Sequence, residues 1–150
     1  MSYNLEMRKY VGHKPIMATA SMCVLYDMKK GILLEKRSDD GMWSIPGGAL
    51  KLGEDQKDAL LREVKEETNL DIYNPKFFTV RANVHMVYPG GDEVYYTDIV
   101  YVVTEYKGDL KPDKESTELR WFKLDELPNG IEPNQVDYIN KFVSEYENYI

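Results

Sequence analysis

The sequence predicts an α/β fold, a mixed β-sheet with helices on two faces. Three observations carry that expectation: β-branched and aromatic runs recur along the chain, one amphipathic helix interrupts them at mid-chain, and a second closes the chain. The 150 residues, 43% hydrophobic and 30% charged, suit a single domain over 1–150 with one sizeable core.

Pro15 to Tyr26 (PIMATASMCVLY) is an apolar stretch ending in β-formers and reads as a strand. Asp27 to Gly31 is a polar turn, Ile32 to Arg37 a returning strand, and Ser38 to Gly41 a loop. Pro46-Gly47-Gly48 marks a place where backbone shape is specified more than side-chain packing. The strongest helix runs from about Asp55 to Thr68. Glu54, Asp55 and Asp58 complement its dipole, Ala59, Leu60, Leu61 and Val64 give it a side to bury, and Asn69 terminates it. Phe77–Val87 and Glu93–Tyr106 pair as a hairpin about the Tyr88-Pro89-Gly90-Gly91-Asp92 turn. A polar loop from Lys107 to Glu115, a short strand at Arg120–Lys123 and one turn at Leu124–Pro128 follow. The last helix, from Pro133 or Asn134 to about Tyr146, is expected to bury Val136, Ile139, Phe142 and Val143.

Composition excludes several functions. With 26 acidic and 19 basic residues the formal charge is −7, which argues against nucleic-acid binding, while carboxylates can still meet phosphates through metal ions. Two His and one Cys cannot form a soft zinc cluster, and Cys23 has no partner for a disulfide. No apolar run approaches a membrane span, and the first residues lack the order of a signal peptide, so the expectation is a cytoplasmic protein.

The mid-chain helix carries the chemistry. At about 100° per residue, Glu66 lies about 60° to one side of Glu63 and Glu67 about 40° to the other. Three carboxylates on one face repel unless compensated. A solvated acidic surface, balanced in part by Arg62 and Lys65, is one reading; a site for Mg²⁺ or Mn²⁺ is the other.

The spacing around that face resembles the Nudix box. Gly48, five residues, Glu54, seven residues, then Arg62-Glu63-Val64-Lys65-Glu66-Glu67-Thr68-Asn69-Leu70 satisfies eight of its nine specified positions. Chance would give such a match about once in 10⁸ starting positions. Ile32–Arg37, Trp43–Gly48, Arg120–Phe122 and Leu124–Pro128 resemble the family's flanking segments, so the likeness covers about residues 16 to 128. The departure is Asn69, where the box has glycine; asparagine tolerates a left-handed backbone better than other non-glycine residues.

The resemblance implies a Nudix-type α/β/α sandwich and Mg²⁺-dependent hydrolysis, with Mn²⁺ as the alternative ion. The bond cleaved is a pyrophosphate in a nucleoside di- or triphosphate or a nucleoside diphosphate derivative. It implies metal ligation by Glu66, Glu67, the Gly47 carbonyl and Glu63, the last serving instead as base in some members. Arg62 is expected to orient Glu54 or a neighbouring carboxylate. An off-helix carboxylate six residues before a strand tryptophan points to Glu115, six before Trp121, with Glu118 nearby. Arg37, Trp43, Tyr88 and Glu93 are candidates for substrate contact, each also explicable as surface, packing or turn residues, as are Asp92, Tyr95, Tyr96 and His85. Substrates would be small nucleotides. A nucleotide-sugar or ADP-ribose pyrophosphatase, which would need a homodimer to complete its sugar pocket, and a non-catalytic Nudix-fold module binding a nucleotide or a protein are the alternatives.

Overall fold

The computed structural model describes residues 2–150. Its elements are α1 (Tyr3–Val11), β1 (Ile16–Asp27), β2 (Gly31–Arg37), β3 (Trp43–Ser44), β4 (Gly47–Ala49) and α2 (Gln56–Thr68). β5 (Asp71–Tyr73), β6 (Lys76–Val87), β7 (Glu93–Val103), β8 (Glu105–Lys107), β9 (Ser116–Phe122) and α3 (Pro133–Glu145) follow, with a 3₁₀ turn at Tyr146–Tyr149. A seven-stranded mixed sheet is ordered β3-β2-β1-β7-β6, with β4 also on β1 and β9 on β2. β5 and β8 form a separate antiparallel pair.

β1 organises the sheet. It runs parallel to β7 from Ile16 opposite Val94 to Leu25 opposite Val103. β4 pairs with its middle and β2 with its end. From Ala20 to Tyr26 every residue of β1 is buried, because helices cover both faces. Ala20, Met22, Val24 and Tyr26 pack toward Tyr138, Ile139 and Phe142 of α3. The alternate residues Cys23 and Leu25 pack with Leu60 and Val64 of α2. The expected α/β architecture with two flanking helices is therefore present.

Asp55 caps α2, its carboxylate accepting from the backbone N–H of Lys57 at 2.8 Å and of Asp58 at 3.4 Å. Asn69 ends it in the left-handed conformation (φ 68°), and its N–H donates to the Lys65 carbonyl at 2.9 Å. The box's missing glycine is thus accommodated by asparagine, whose side-chain amide also donates to the Asp109 carbonyl.

Several expectations need correction. Leu61 is 41% exposed and Val136 36%, while Glu67, Thr68 and Tyr138 are buried in their place. The buried arc of α2 follows Leu60, Val64, Glu67 and Thr68, which leaves Leu61 about 100° from Leu60 on the flank. In α3 the arc is set by Tyr138, Ile139 and Phe142, and Val136 falls outside it. β7 stops at Val103, because the next residues turn away and Glu105–Lys107 pair with Asp71–Tyr73. β9 starts at Ser116, lengthened by its ladder with β2. α1 has no counterpart in the sequence expectation: it buries no residue, so no apolar periodicity marks it. Its anchor is Arg8, which donates to the carbonyls of Gly12 (3.1 Å), Lys14 (2.6 Å) and Glu93 (2.8 Å).

Candidate active site

The site begins at the two glycines of β4. Met22 of β1 stands opposite Gly47 and Ser21 opposite Gly48. Gly47 has φ 154°, and a Cβ there would overlap the Ser21 carbonyl and the Met22 Cα. A Cβ on Gly48 would instead stand 2.5 Å from the Glu63 carboxyl carbon. The Glu63 side chain of α2 therefore lies directly on the β4 backbone, in space that only a glycine leaves open.

Arg62 gathers three carboxylates. Its Nε and Nη2 donate to the two oxygens of Glu54, both at 2.8 Å, and its Nη1 donates to Glu63 at 2.9 Å and to Glu66 at 3.4 Å. Nη2 also reaches the Ala49 carbonyl at 3.3 Å, fastening α2 to β4. The bidentate pairing holds the Glu54 carboxyl down at about 2. Glu66 remains 54% exposed at its side chain, at the solvent edge of the group.

Beneath this surface set the expected ligand Glu67 is buried beside Glu35, a partner that the sequence reading missed. Glu67 is 4% exposed and Glu35, on β2, 8%. Burial pushes the Glu67 carboxyl well above the carboxylate range, and the adjacent Glu35 and Glu63 push it further. Burial raises Glu35 too, partly offset by its bonds to Glu67 and to Ser116, whose hydroxyl donates at 3.0 Å. Ser44 adds a longer bond at 3.4 Å, and the Gly47 N–H faces Glu67 at the same distance. One signal for Glu35 was available: it alternates with Leu33, which packs on the α2 side of the sheet.

Glu115 borders the same cleft as Glu35, Glu63 and Glu67. Its carboxyl is raised by burial first, then by Asp113, Glu63 and Glu66. Glu118 is paired with Arg120 and does not border the cleft. The donor set suits a hard cation: several carboxylates crowded against one backbone loop, two of them buried with raised affinity for protons. Among the described residues no three acidic, His or Cys side chains are grouped as a metal shell, and Arg62 engages Glu63 and Glu66. Glu67, Glu63, Glu66 and the Gly47 carbonyl are the groups that would hold the ion.

The cleft, about 490 Å³, continues into an inner recess of about 110 Å³ that lies beside α3. Arg37, Tyr88 and Tyr96 border both. Arg37 donates to Asp39 at 2.7 and 3.0 Å, and its guanidinium lies 5.5 Å from the Tyr88 ring centre. The Tyr88 and Tyr96 hydroxyls share a 2.7 Å hydrogen bond. In the recess Asp98 accepts from Tyr138 at 2.8 Å, and burial lifts its carboxyl to about 6.

Two expected substrate contacts are not in the cleft. Trp43 is buried against Phe122, ring centres 5.0 Å apart, with Lys36 and Arg120 near its faces. Glu93 meets His85 at 3.1 Å on the opposite side of the sheet, because strand alternation puts residues 94, 96 and 98 toward the cleft and 93 and 95 away. Tyr95 accordingly stacks on His85 and Tyr96 borders the cleft. Asp92 borders it too, held by Arg8 and His13. Cys23 is fully buried, its thiol pushed up to about 12 by desolvation.

A mixed sheet between helices, with an acidic helix laid against a glycine loop, defines a class of α/β proteins built around crowded carboxylates. This chain belongs to the Nudix family: the NUDIX domain model matches residues 17–142. It is 30% identical over 112 residues to the uncharacterized Nudix hydrolase YvcI of Bacillus subtilis, covering 71% of this chain and 66% of that protein. It is 33% identical over 103 residues to an ADP-ribose pyrophosphatase of Methanocaldococcus jannaschii, covering 65% and 57%. The match thus spans less than two thirds of either relative's length. The fold is similar to that of a MutT NUDIX hydrolase from Burkholderia pseudomallei, with TM-score 0.71, 22% identity and coverage of 83% of this chain and 97% of the other. No helix among the described residues is long and apolar enough to cross a membrane.

Proposed function

We propose that this chain is a Mg²⁺-dependent pyrophosphohydrolase, active also with Mn²⁺, that cleaves the diphosphate of a nucleoside diphosphate derivative. One observation carries the reading: Arg62 fixes Glu54 and Glu63 against the Gly47–Gly48 loop while the buried Glu35–Glu67 pair faces the same cleft. Family membership supports it, although curated relatives differ in the substrate they name. Residues 1–150 are taken as one domain, with a small nucleotide as its ligand.

Bound divalent metal would neutralise the diphosphate oxygens and acidify the attacking water. Arg62 is a positioning residue: its fork keeps Glu54 ionised and holds Glu63 against Gly48, so the crowded carboxylates are set before substrate arrives. Glu115 borders the cleft outside the Arg62 fork and is the carboxylate placed to accept the proton of the attacking water. Burial and the neighbouring carboxylates Asp113, Glu63 and Glu66 raise the affinity of Glu115 for a proton, which favours it in that role. Arg37 and Tyr88 border the passage between the cleft and the recess, where the nucleoside would lie.

The test is a turnover screen with Mg²⁺ and with Mn²⁺ over nucleoside triphosphates, oxidised nucleotides, ADP-ribose, nucleotide sugars and dinucleoside polyphosphates. Hydrolysis of one class, absent from Glu67→Gln, supports the reading. Ligand binding with no hydrolysis in any class would replace it with that of a binding module.

A further inference from the structure

α1 lies outside the segment that matches the family model, yet it forms part of the cleft. Ser2, Asn4, Leu5 and Arg8 border the same space as Glu63 and Glu67. These positions fall on one side of a helix, as the spacing from 4 and 5 to 8 requires. Tyr96, which stands opposite Ala18 on β1, marks the α1 end of the cleft, and Gly47, opposite Met22, marks the carboxylate end. The two levels are four residues, about 13 Å, apart along β1. Asn4 lines the cleft together with Tyr88 and Tyr96, whose hydroxyls share a hydrogen bond.

The charges at the α1 end identify what it can receive. Among the described residues the only cations bordering the cleft are Arg8 and Arg37. Both are committed. Arg8 donates to three backbone carbonyls and lies 3.6 Å from Asp92; Arg37 is paired with Asp39 and lies 3.7 Å from Asp40. A third phosphate here would bring further negative charge beside Asp39 and Asp92 with no uncommitted cation to meet it. A sugar brings none, and the Asn4 amide, the Ser2 hydroxyl and the two tyrosine hydroxyls offer neutral donors and acceptors for its hydroxyl groups.

We propose that α1 is a specificity element of the substrate site, its Ser2–Asn4–Leu5 face receiving a neutral, hydroxyl-bearing moiety, so that the substrate is a nucleoside diphosphate linked to a sugar and not a nucleoside triphosphate. This deepens the hydrolase reading and rests on it for the position of the diphosphate. Because α1 buries no residue, substitutions on its cleft face leave the core intact.

The experiment is backbone amide exchange of the full chain in Mg²⁺, with the α,β-methylene analogues of a nucleoside diphosphate sugar and of a nucleoside triphosphate. The sugar analogue slows exchange across Glu6–Val11 at least several-fold and the triphosphate analogue does not. Asn4→Ala removes that protection and, in turnover, raises KM for the nucleotide sugar about 3- to 10-fold at nearly constant kcat, the loss expected of one hydrogen bond. Equal protection by both analogues, or by neither, overturns the proposal. Protection by the sugar analogue without turnover of any nucleotide sugar leaves it standing and removes the hydrolase reading alone.

Discussion

Glu67 of α2 and Glu35 of β2 are buried against each other beside Gly47, and serine hydroxyls satisfy only Glu35. Two carboxylates in one desolvated site cannot both be ionised without a compensating charge. A divalent ion should therefore stabilise the fold strongly. At a metal concentration 100 times its Kd the gain is about 2.7 kcal/mol, and each kcal/mol moves Tm by about 2–4 °C in a chain of this size. Thermal unfolding with and without Mg²⁺ checks this. Glu67→Gln should unfold at a higher temperature than the wild type without metal and lose the Mg²⁺-dependent rise.

Arg62 fixes the carboxylates as a planar fork, a geometry that lysine cannot reproduce. Arg62→Lys should lower activity or metal affinity by about 10- to 100-fold while the protein stays folded. Because Glu54 is held down at about 2, its pairing stabilises the fold above the ordinary carboxylate range, and that contribution is lost as pH falls toward 2. Acid unfolding of Arg62→Lys should accordingly begin at higher pH than in the wild type. Kinetics and a pH titration of the circular dichroism read the two effects separately.

The two adjacent glycines should fail in different ways. In Gly47→Ala the new methyl meets the backbone of β1, which cannot yield, so a stability loss of at least about 1–3 kcal/mol is expected. In Gly48→Ala it meets the Glu63 carboxylate, which can swing aside, so the fold survives and turnover falls. Denaturant unfolding beside the kinetics distinguishes them. Equal stability losses would contradict the placement of Glu63.

Asp98 gives a pH signature of its own. Its carboxyl, lifted to about 6 by burial, binds a proton more tightly in the folded than in the unfolded chain. Its contribution is present at low pH and is lost as pH rises from about 4 to 6, by roughly 3 kcal/mol. Asp98→Asn keeps an oxygen for the Tyr138 hydroxyl and removes that slope. The difference in unfolding free energy between variant and wild type should grow between pH 4 and 6 and then level.

The box, the cap at Asp55 and the hairpin about Gly90–Gly91 were legible because each is fixed by local spacing or turn chemistry. The match of Glu54 with Arg62 was legible only through family likeness, since eight residues along the chain do not by themselves place two side chains in contact. Glu35 was hidden in an apolar strand, its meaning supplied by α2 and β9 from elsewhere in the sequence. α1 was hidden for the opposite reason: three backbone carbonyls accepting from Arg8 hold it without an apolar face. The burial expected of Leu61 and Val136 fails because periodicity states which side of an element is apolar, and the packing against the sheet decides where the buried arc ends.

The most direct measurement is the initial rate of nucleoside monophosphate release from a nucleoside diphosphate sugar as Mg²⁺ is raised from zero, with Glu67→Gln in parallel. The wild type should show a rate that is negligible without metal and saturates with it, and the variant should be at least about 100-fold slower at saturation. A rate independent of Mg²⁺, or one equal in the two proteins, would contradict a catalytic centre built on the carboxylates of α2.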